Sequence, residues 1–251
     1  MNISYPDLKG KTILITGGLG FLATQFIKAF EKNSSNVIIF DKKKSSKKNF
    51  FNCDITKEEQ LKSIKKIIKK KYKSIDVLIN NAANNYGAGS VSSKIKLENF
   101  SSSIWDEDLK VGLKGAMLCT KIFGTEMSRQ KNGGTIINIS SDLGIISPDN
   151  RVYKKNHVKP VTYSVVKHGI IGLTKYTATY WPKKIRCNAI AFGGMENNQD
   201  NSFKKKIKKL IPMARMGKKN EYNNTILFLS SNASSYINGT TIIVDGGRTI
   251  L

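Results

Sequence analysis

Short apolar runs rich in Ile and Val alternate along this chain with longer stretches whose apolar residues recur every three or four positions. The short runs predict strands at 12–16, 37–40, 50–53, 77–80, 135–140, 185–190 and 241–244. The longer stretches predict helices at 21–32, 57–72, 104–129, 162–181, 202–210 and 220–230. Continuous apolar runs, as opposed to alternating ones, are what strands need when both faces of their sheet are covered. Regular alternation of strand and helix therefore implies an α/β fold, a doubly wound parallel seven-stranded sheet with helices on both faces. Right-handed crossovers give the order 3-2-1-4-5-6, with the seventh strand at one edge. No internal repeat or linker divides the sequence, which predicts a single domain over 1–251.

In such a sheet a ligand lies beyond the carboxyl ends of the strands, so the residues just after each strand carry the chemistry. The first strand runs into Gly17, Gly18, Leu19 and Gly20, after which Phe21, Leu22 and Ala23 open a helix. Glycine lets the backbone turn tightly and approach a ligand. The free N–H groups of the helix start favour a phosphate. Gly18-x-Gly20-x-x-Ala23 fits the dinucleotide fingerprint in its alanine-ending form. Asp41 stands 21 residues beyond Gly20, where a carboxylate bonds ribose hydroxyls and repels a 2′-phosphate. That favours NAD over NADP, although the lysines at 42–44 could receive the phosphate instead. Asp54 and Ile55 are placed to meet the adenine edge, and Asn81, Ala82 and Ala83 form a small turn that passes beneath the cofactor.

After the fifth strand come Ser140 and Ser141, and then Tyr163 and Lys167, four apart on one face of the next helix. An ammonium beside a phenol favours the phenolate and lowers its pKa, which suits Tyr163 to general acid/base work on a hydroxyl–carbonyl pair. The same spacing occurs at Tyr5 and Lys9 and at Tyr180 and Lys184. The first precedes the sheet, and the second contains the helix-breaking Pro182.

Together these residues resemble the short-chain dehydrogenase/reductase family nearly end to end. The match covers Thr16-Gly-Gly-x-Gly-x-x-Ala23, Asp41, Asp54, Asn80-Asn-Ala-Ala83, Ser141 and Tyr163-x-x-x-Lys167. It continues through Asn188-Ala-x-Ala-x-Gly193, Pro212-Met-Ala-Arg-Met-Gly217, Ile237-Asn-Gly239 and Val244-Asp-Gly-Gly247. The resemblance implies a Rossmann-type fold and hydride transfer between a nicotinamide cofactor and a secondary alcohol or ketone. Ser141 would steady the substrate oxygen, Tyr163 exchange its proton, and Lys167 hold the nicotinamide ribose. Backbone from Gly193 to Met195 would hold the carboxamide. A sugar epimerase or dehydratase retaining NAD, and a catalytically impaired cofactor-binding protein, are the alternative readings.

Four departures from the family pattern stand out. The glycine turn is one residue tighter and ends in Ala23, as in the Gly-x-x-Gly-x-x-Gly spacing of the sugar-nucleotide branch. Gly112 occupies the position of the asparagine that completes the family's catalytic tetrad, which predicts a slower or rerouted proton relay, or an inactive member. Phe192 replaces the usual proline before Gly193, offering either an aromatic wall for the nicotinamide or a packed core residue. Ser141 and Tyr163 are 22 apart, and the extra length falls in the polar stretch 148–157. There Arg151, Tyr153, Lys155 and His157 could grip substrate hydroxyls or a phosphate. This loop and the following helix resemble members associated with bacterial surface-sugar pathways, including flagellin and lipopolysaccharide sugars. A sugar, amino sugar or nucleotide sugar is the substrate class this implies. Asp142 and His168 read as local hydrogen-bonding residues.

Composition changes the picture mainly by exclusion. Forty-two Lys and Arg against 18 Asp and Glu give a formal charge of +24, which points to polyanions. Only five of the basic residues are arginine, however, and base-reading surfaces rely on arginine forks. The lysine runs at 42–48, 62–73 and 204–209 read as solvated faces, so no nucleic-acid partner is expected, though the field could steer an anionic substrate. Cys53, Cys119 and Cys187 are far apart and odd in number, which predicts reduced core thiols and a cytoplasmic protein. Two histidines and no closely spaced cysteine pair predict no metal site. No apolar stretch reaches the roughly 18 residues of a membrane span, and the polar first nine residues predict no export signal. The helices at 104–129 and 162–181, by the same resemblance, are where a homodimer or homotetramer would form.

Overall fold

The computed structural model describes residues 4–84 and 94–251; the first three residues of the polar N-terminal stretch lie outside that range. The strands are β1 (Thr12–Thr16), β2 (Asn36–Asp41), β3 (Phe50–Asn52), β4 (Val77–Asn80), β5 (Gly134–Ser141), β6 (Ile185–Phe192) and β7 (Thr241–Val244). They form one seven-stranded sheet in the order β3-β2-β1-β4-β5-β6-β7, every pair parallel. This is the single-domain, doubly wound α/β architecture the apolar runs predict. Sequence and layer agree because β1 and β4 are buried at every position, as a strand covered on both faces must be.

Helices α1 (Phe21–Lys32) and α8 (Asn223–Ser230) cover one face, where Phe26, Phe30 and Ile226 pack on Ile13, Ile15 and Ile39. On the other face α2 (Glu58–Lys71) buries Leu61, Ile64 and Ile68 and leaves its lysines in solvent. The stretch predicted as a helix over 104–129 is a run of segments. α3 (Ser102–Leu109), α4 (Gly115–Cys119) and α5 (Thr125–Ser128) are joined by π turns at Lys110–Lys114 and Thr120–Gly124. Each π turn widens the helix and shifts the phase of its buried face, a feature that recurs at functional sites. α6 (Val161–Tyr180) follows the extended loop, and α7 (Asn201–Lys208) lies beyond β6. The three cysteines are buried and unpaired, their thiols pushed up by burial, to about 12 at Cys53 and Cys187. No helix among the described residues is long and apolar enough to cross a membrane.

Register decides what faces the carboxyl edge. Thr16 pairs with Phe40, Asn80 with Asn138, and Ser141 with Phe192, so the strand ends and the loops after them open onto one side. Asn80 Nδ2 donates to Asn138 Oδ1 at 2.8 Å, and Asn138 Nδ2 donates to Thr174 Oγ1 at 2.9 Å. These buried amides fasten β4, β5 and α6 together beneath that opening.

Candidate active site

A cleft of about 520 Å³ runs across the carboxyl edge of the sheet, a volume in the range that takes small molecules and cofactors. Its first half is built by the β1 turn. Gly17 adopts φ +64°, and a Cβ there would lie 2.8 Å from Ala82 Cα. The N–H of Gly18 bonds Phe40 O, that of Leu19 bonds Asp41 Oδ2 at 3.0 Å, and that of Gly20 bonds Gly17 O. The first intrahelical bond of α1 is from Thr24 to Gly20 O, so the N–H groups of Phe21, Leu22 and Ala23 have no partner within the helix. Gly17, Leu19, Gly20, Phe21 and Leu22 line the cleft. Gly18 lies behind them, where a Cβ would strike Ile39 Cγ2 at 2.4 Å. This is a cradle of bare backbone and unspent donors, which fits a dinucleotide pyrophosphate.

The turn after β4 is fixed by Thr16. Its Oγ1 accepts the N–H groups of Asn81 and Ala82, while Asn81 Nδ2 reaches back to Thr16 O and Gly17 O. Asn81, Ala82 and Ala83 therefore floor the cleft. Asp41 and Asp54 stand at one end with Ile55, Lys42 and Lys43. Asp54 Oδ1 accepts both the N–H and hydroxyl of Thr56, and these bonds keep its carboxyl below its ordinary pKa despite burial. At the other end, Gly193 and Met195 enter from β6; a Cβ on Gly193 would sit 2.6 Å from Asp245 Cα. Phe192 touches the cleft, but its ring is core, 4.7 Å from Tyr222 edge-on and 5.9 Å from Phe26.

Ser141, Tyr163 and Lys167 meet over the end of β5. Ser140 Oγ donates to Lys167 O at 2.8 Å and seats α6 on the strand. Ser141 Oγ donates to Asp142 Oδ1 at 2.7 Å and stands beside the Tyr163 phenol, whose pKa it lowers. Lys167 Nζ, fully inside, donates to Ile139 O at 2.8 Å, and burial pulls its pKa down to about 8. The ammonium was expected to draw the phenol down as well. Instead burial pushes Tyr163 up to about 12, outweighing the lowering effect of the Ser141 hydroxyl, and Asp142 adds to the rise. The cause is geometric: the Lys167 charge is committed to a carbonyl and lies 5.7 Å from the ring centre.

The 148–157 stretch splits. Val152 packs with Ile207, Ile211 and Met216, while the Tyr153 ring lies 5.4 Å from Phe203, so the loop is bolted to α7 as a cleft wall. Arg151 points away. Its guanidinium grips both oxygens of Asp149 with 89% of the side chain exposed, and it does not line the cleft. His157 also stands outside, its Nδ1 3.1 Å from Lys155 O. Asp142 and His168 make the local bonds expected of them, the latter to Ser164 O at 2.9 Å. Two residues missed in the sequence complete the site. Arg248, from the C-terminal turn, is paired with Asp142, and Lys159 reaches in just before α6. Neither belongs to a local motif, so spacing gave no signal for them. Among the described residues no cluster of His, Cys, Asp and Glu could hold a metal ion.

Gly112 sits in the first π turn, where a Cβ would lie 2.5 Å from Val166 Cγ1. Beside it a void of about 10 Å³ separates Lys167 from Asn84, Asp108 and Thr162. Thr162 Oγ1 and Asn84 Nδ2 both donate to Asp108. Gly112 is thus a packing residue as well as a missing amide. Gly112→Asn is expected to cost about 1–3 kcal/mol through overpacking, read as a lower urea midpoint, with Val166→Ala in the same chain recovering part of the loss.

A parallel sheet with a glycine cradle at one end of its edge cleft and a Ser–Tyr–Lys cluster at the other defines a pyridine-nucleotide oxidoreductase. The enoyl-(acyl carrier protein) reductase family profile matches residues 26–249, and the chain belongs to the short-chain dehydrogenase/reductase family. It is 30% identical to a 3-oxoacyl-(acyl-carrier-protein) reductase of Thermotoga maritima, covering 97% of this chain and 99% of that one. A short-chain dehydrogenase of Leptospira borgpetersenii with bound NAD+ superposes with a TM-score of 0.87 at 29% identity, covering 96% of this chain and 93% of that one. The aldohexose dehydrogenase of Thermoplasma acidophilum gives 0.83 at 30% identity, covering 99% and 97%. Relatives in this family act on alcohols and ketones, sugar dehydrogenases among them.

Proposed function

We propose that this protein is an NAD-dependent dehydrogenase or reductase that interconverts a secondary alcohol and a ketone on a sugar or amino-sugar derivative. The observation that carries the reading is the Tyr163 phenol, set beside Ser141 and Lys167 in a cleft shaped for a dinucleotide. When bound, a nicotinamide ring supplies the hydride donor or acceptor at the substrate carbon. Tyr163 takes the hydroxyl proton in oxidation and returns it in reduction. Ser141, anchored by Asp142 and by the Leu143 N–H at 3.2 Å, fixes the oxygen between them. Lys167, which lines the same end of the cleft, would hold the nicotinamide ribose and offset the charge of the phenolate. Resemblance to an aldohexose dehydrogenase and to a glucose 1-dehydrogenase supports a carbohydrate substrate. The test is NADH turnover across a panel of sugar ketones and nucleotide sugars. NADH bound with no turnover of any member would favour a cofactor-binding protein instead.

NAD in preference to NADP rests on Asp41, whose Oδ2 and Oδ1 accept the N–H groups of Leu19 and Lys43 and so hold the charge at the ribose end. Asp41→Asn keeps one acceptor and removes the repulsion. The affinity ratio of NADPH to NADH, measured by fluorescence titration, should rise by about tenfold or more, equivalent to about 1.4 kcal/mol. The exposed Met117, Val165, Tyr176 and Tyr180 on α4 and α6 support association as a homodimer or homotetramer. The low arginine content supports the absence of a nucleic-acid partner.

A further inference from the structure

The extended loop ends at Lys159, whose side chain is half-buried in the cleft wall on the substrate side. Its Nζ stands 3.6 Å above the centre of the Tyr163 ring. Among the described residues this ammonium makes no hydrogen bond and no ion pair, while the Lys159 backbone N–H bonds Asn150 Oδ1. The nearest carboxylate of the catalytic end, Asp142, is already spent. One oxygen takes the Arg248 guanidinium, and the other takes the Ser141 hydroxyl and the Leu143 N–H. Three cations, Lys159, Lys167 and Arg248, thus line this end of the cleft against that single carboxylate. Lys167 is satisfied by Ile139 O and Arg248 by Asp142, which leaves Lys159 as the cation lacking an acceptor. A ring face is a partial substitute for a counter-ion. A desolvated ammonium left on one is a cost unless something else completes it.

We propose that the substrate carries an anionic group, a carboxylate or a phosphoryl ester, which seats on Lys159 next to the carbon served by Tyr163. The proposal rests on the oxidoreductase reading and narrows it from sugars in general to acidic or phosphorylated ones. Lys159 lies over the ring whose hydroxyl serves the reacting oxygen, so the anion sits close to the reacting carbon and not at a remote end of the substrate. Val152 and Tyr153, packed on α7, line the same cleft as Lys159 and belong to the stretch that lengthens the chain between Ser141 and Tyr163. The added loop and the unpaired cation are therefore one device. The ammonium is pulled down to about 8 by burial and by Lys167, so it carries charge at neutral pH and loses it as pH rises beyond that value.

The experiment uses the NADH-loaded protein and measures binding by saturation-transfer NMR and by NADH fluorescence. The probes are D-gluconate and D-glucuronate, glucose 6-phosphate, and neutral D-glucose and methyl glucoside. Acidic probes should bind and neutral ones bind at least about tenfold more weakly, the size of one charge-assisted hydrogen bond. The carboxylate and phosphate arms identify which anion the site takes. Acid affinity should fall as pH passes about 8. Lys159→Met should lose the acid preference, and Lys159→Arg should keep it. Equal binding of neutral and acidic probes, an acid preference surviving in Lys159→Met, or no acidic probe binding to a protein that binds NADH would overturn the proposal. Each of these leaves the oxidoreductase reading standing. Failure of the wild-type protein to bind NADH sinks that reading itself. If Lys159 only tuned the phenol, Lys159→Met would lower kcat equally for acidic and neutral substrates with KM unchanged.

Discussion

Tyr163→Phe is expected to lower turnover by about 10²–10⁴-fold, the range lost when a positioned acid/base is removed, while NADH affinity stays near wild type. The phenol lines the cleft with Ser141 and carries an exchangeable proton, and phenylalanine keeps its ring and packing. The raised pKa gives the loss a direction. A phenol pushed up to about 12 by burial is protonated at neutral pH, so the protein's own groups are poised to donate a proton to a carbonyl. Oxidation needs the phenolate, and its rate should climb with pH; reduction should be nearly flat over the same range. Steady-state rates in both directions check this. Near wild-type turnover in the phenylalanine variant, or an oxidation rate that falls as pH rises, would remove Tyr163 from the chemistry.

The sheet was legible because its strands are written as continuous Ile, Val and Leu runs, and strand order follows from right-handed crossovers alone. The cradle was legible for a related reason. Backbone that must turn at Gly17 beneath Ala82 tolerates almost nothing but glycine, so the requirement is visible in the residues themselves. Polar residues of the extended loop were harder. Arg151 and His157 look like substrate ligands in a sequence, but Asp149 captures the first locally and Lys155 O the second. Tyr153 enters the cleft because its neighbour Val152 is buried against α7, a contact between segments about 50 residues apart. The two π turns escaped the 3.6-residue periodicity, since each inserts a residue without changing composition. The direction of the Tyr163 shift escaped it too. Spacing places Lys167 on the same helical face, but only the fold shows its charge turned onto Ile139 O.

The least legible contact is also the one whose loss should be felt most in stability. Asp142 and Arg248, 106 residues apart, form an ion pair with 4% and 8% of their side chains exposed. Removing one partner of such a pair strands the other charge in a dry site, at a typical cost of about 3–5 kcal/mol. Arg248→Met should therefore lower the melting temperature by roughly 6–20 °C for a domain of this size. The effect should reach the active site as well. Asp142 Oδ1 is the acceptor that orients the Ser141 hydroxyl, and a carboxylate that has lost the Arg248 guanidinium is no longer held in place for that service. Asp142→Asn with Arg248→Met replaces the stranded charge by a neutral amide and should regain most of the melting temperature. It should regain only part of the turnover, because a neutral amide oxygen accepts the serine hydroxyl more weakly than a carboxylate does. Calorimetry and rate measurements on the single and double variants separate the two effects. A single variant melting within about 1 °C of wild type would mean that water reaches Asp142 and pairs it, and the rigid Ser141–Asp142–Arg248 chain behind Tyr163 would have to be abandoned.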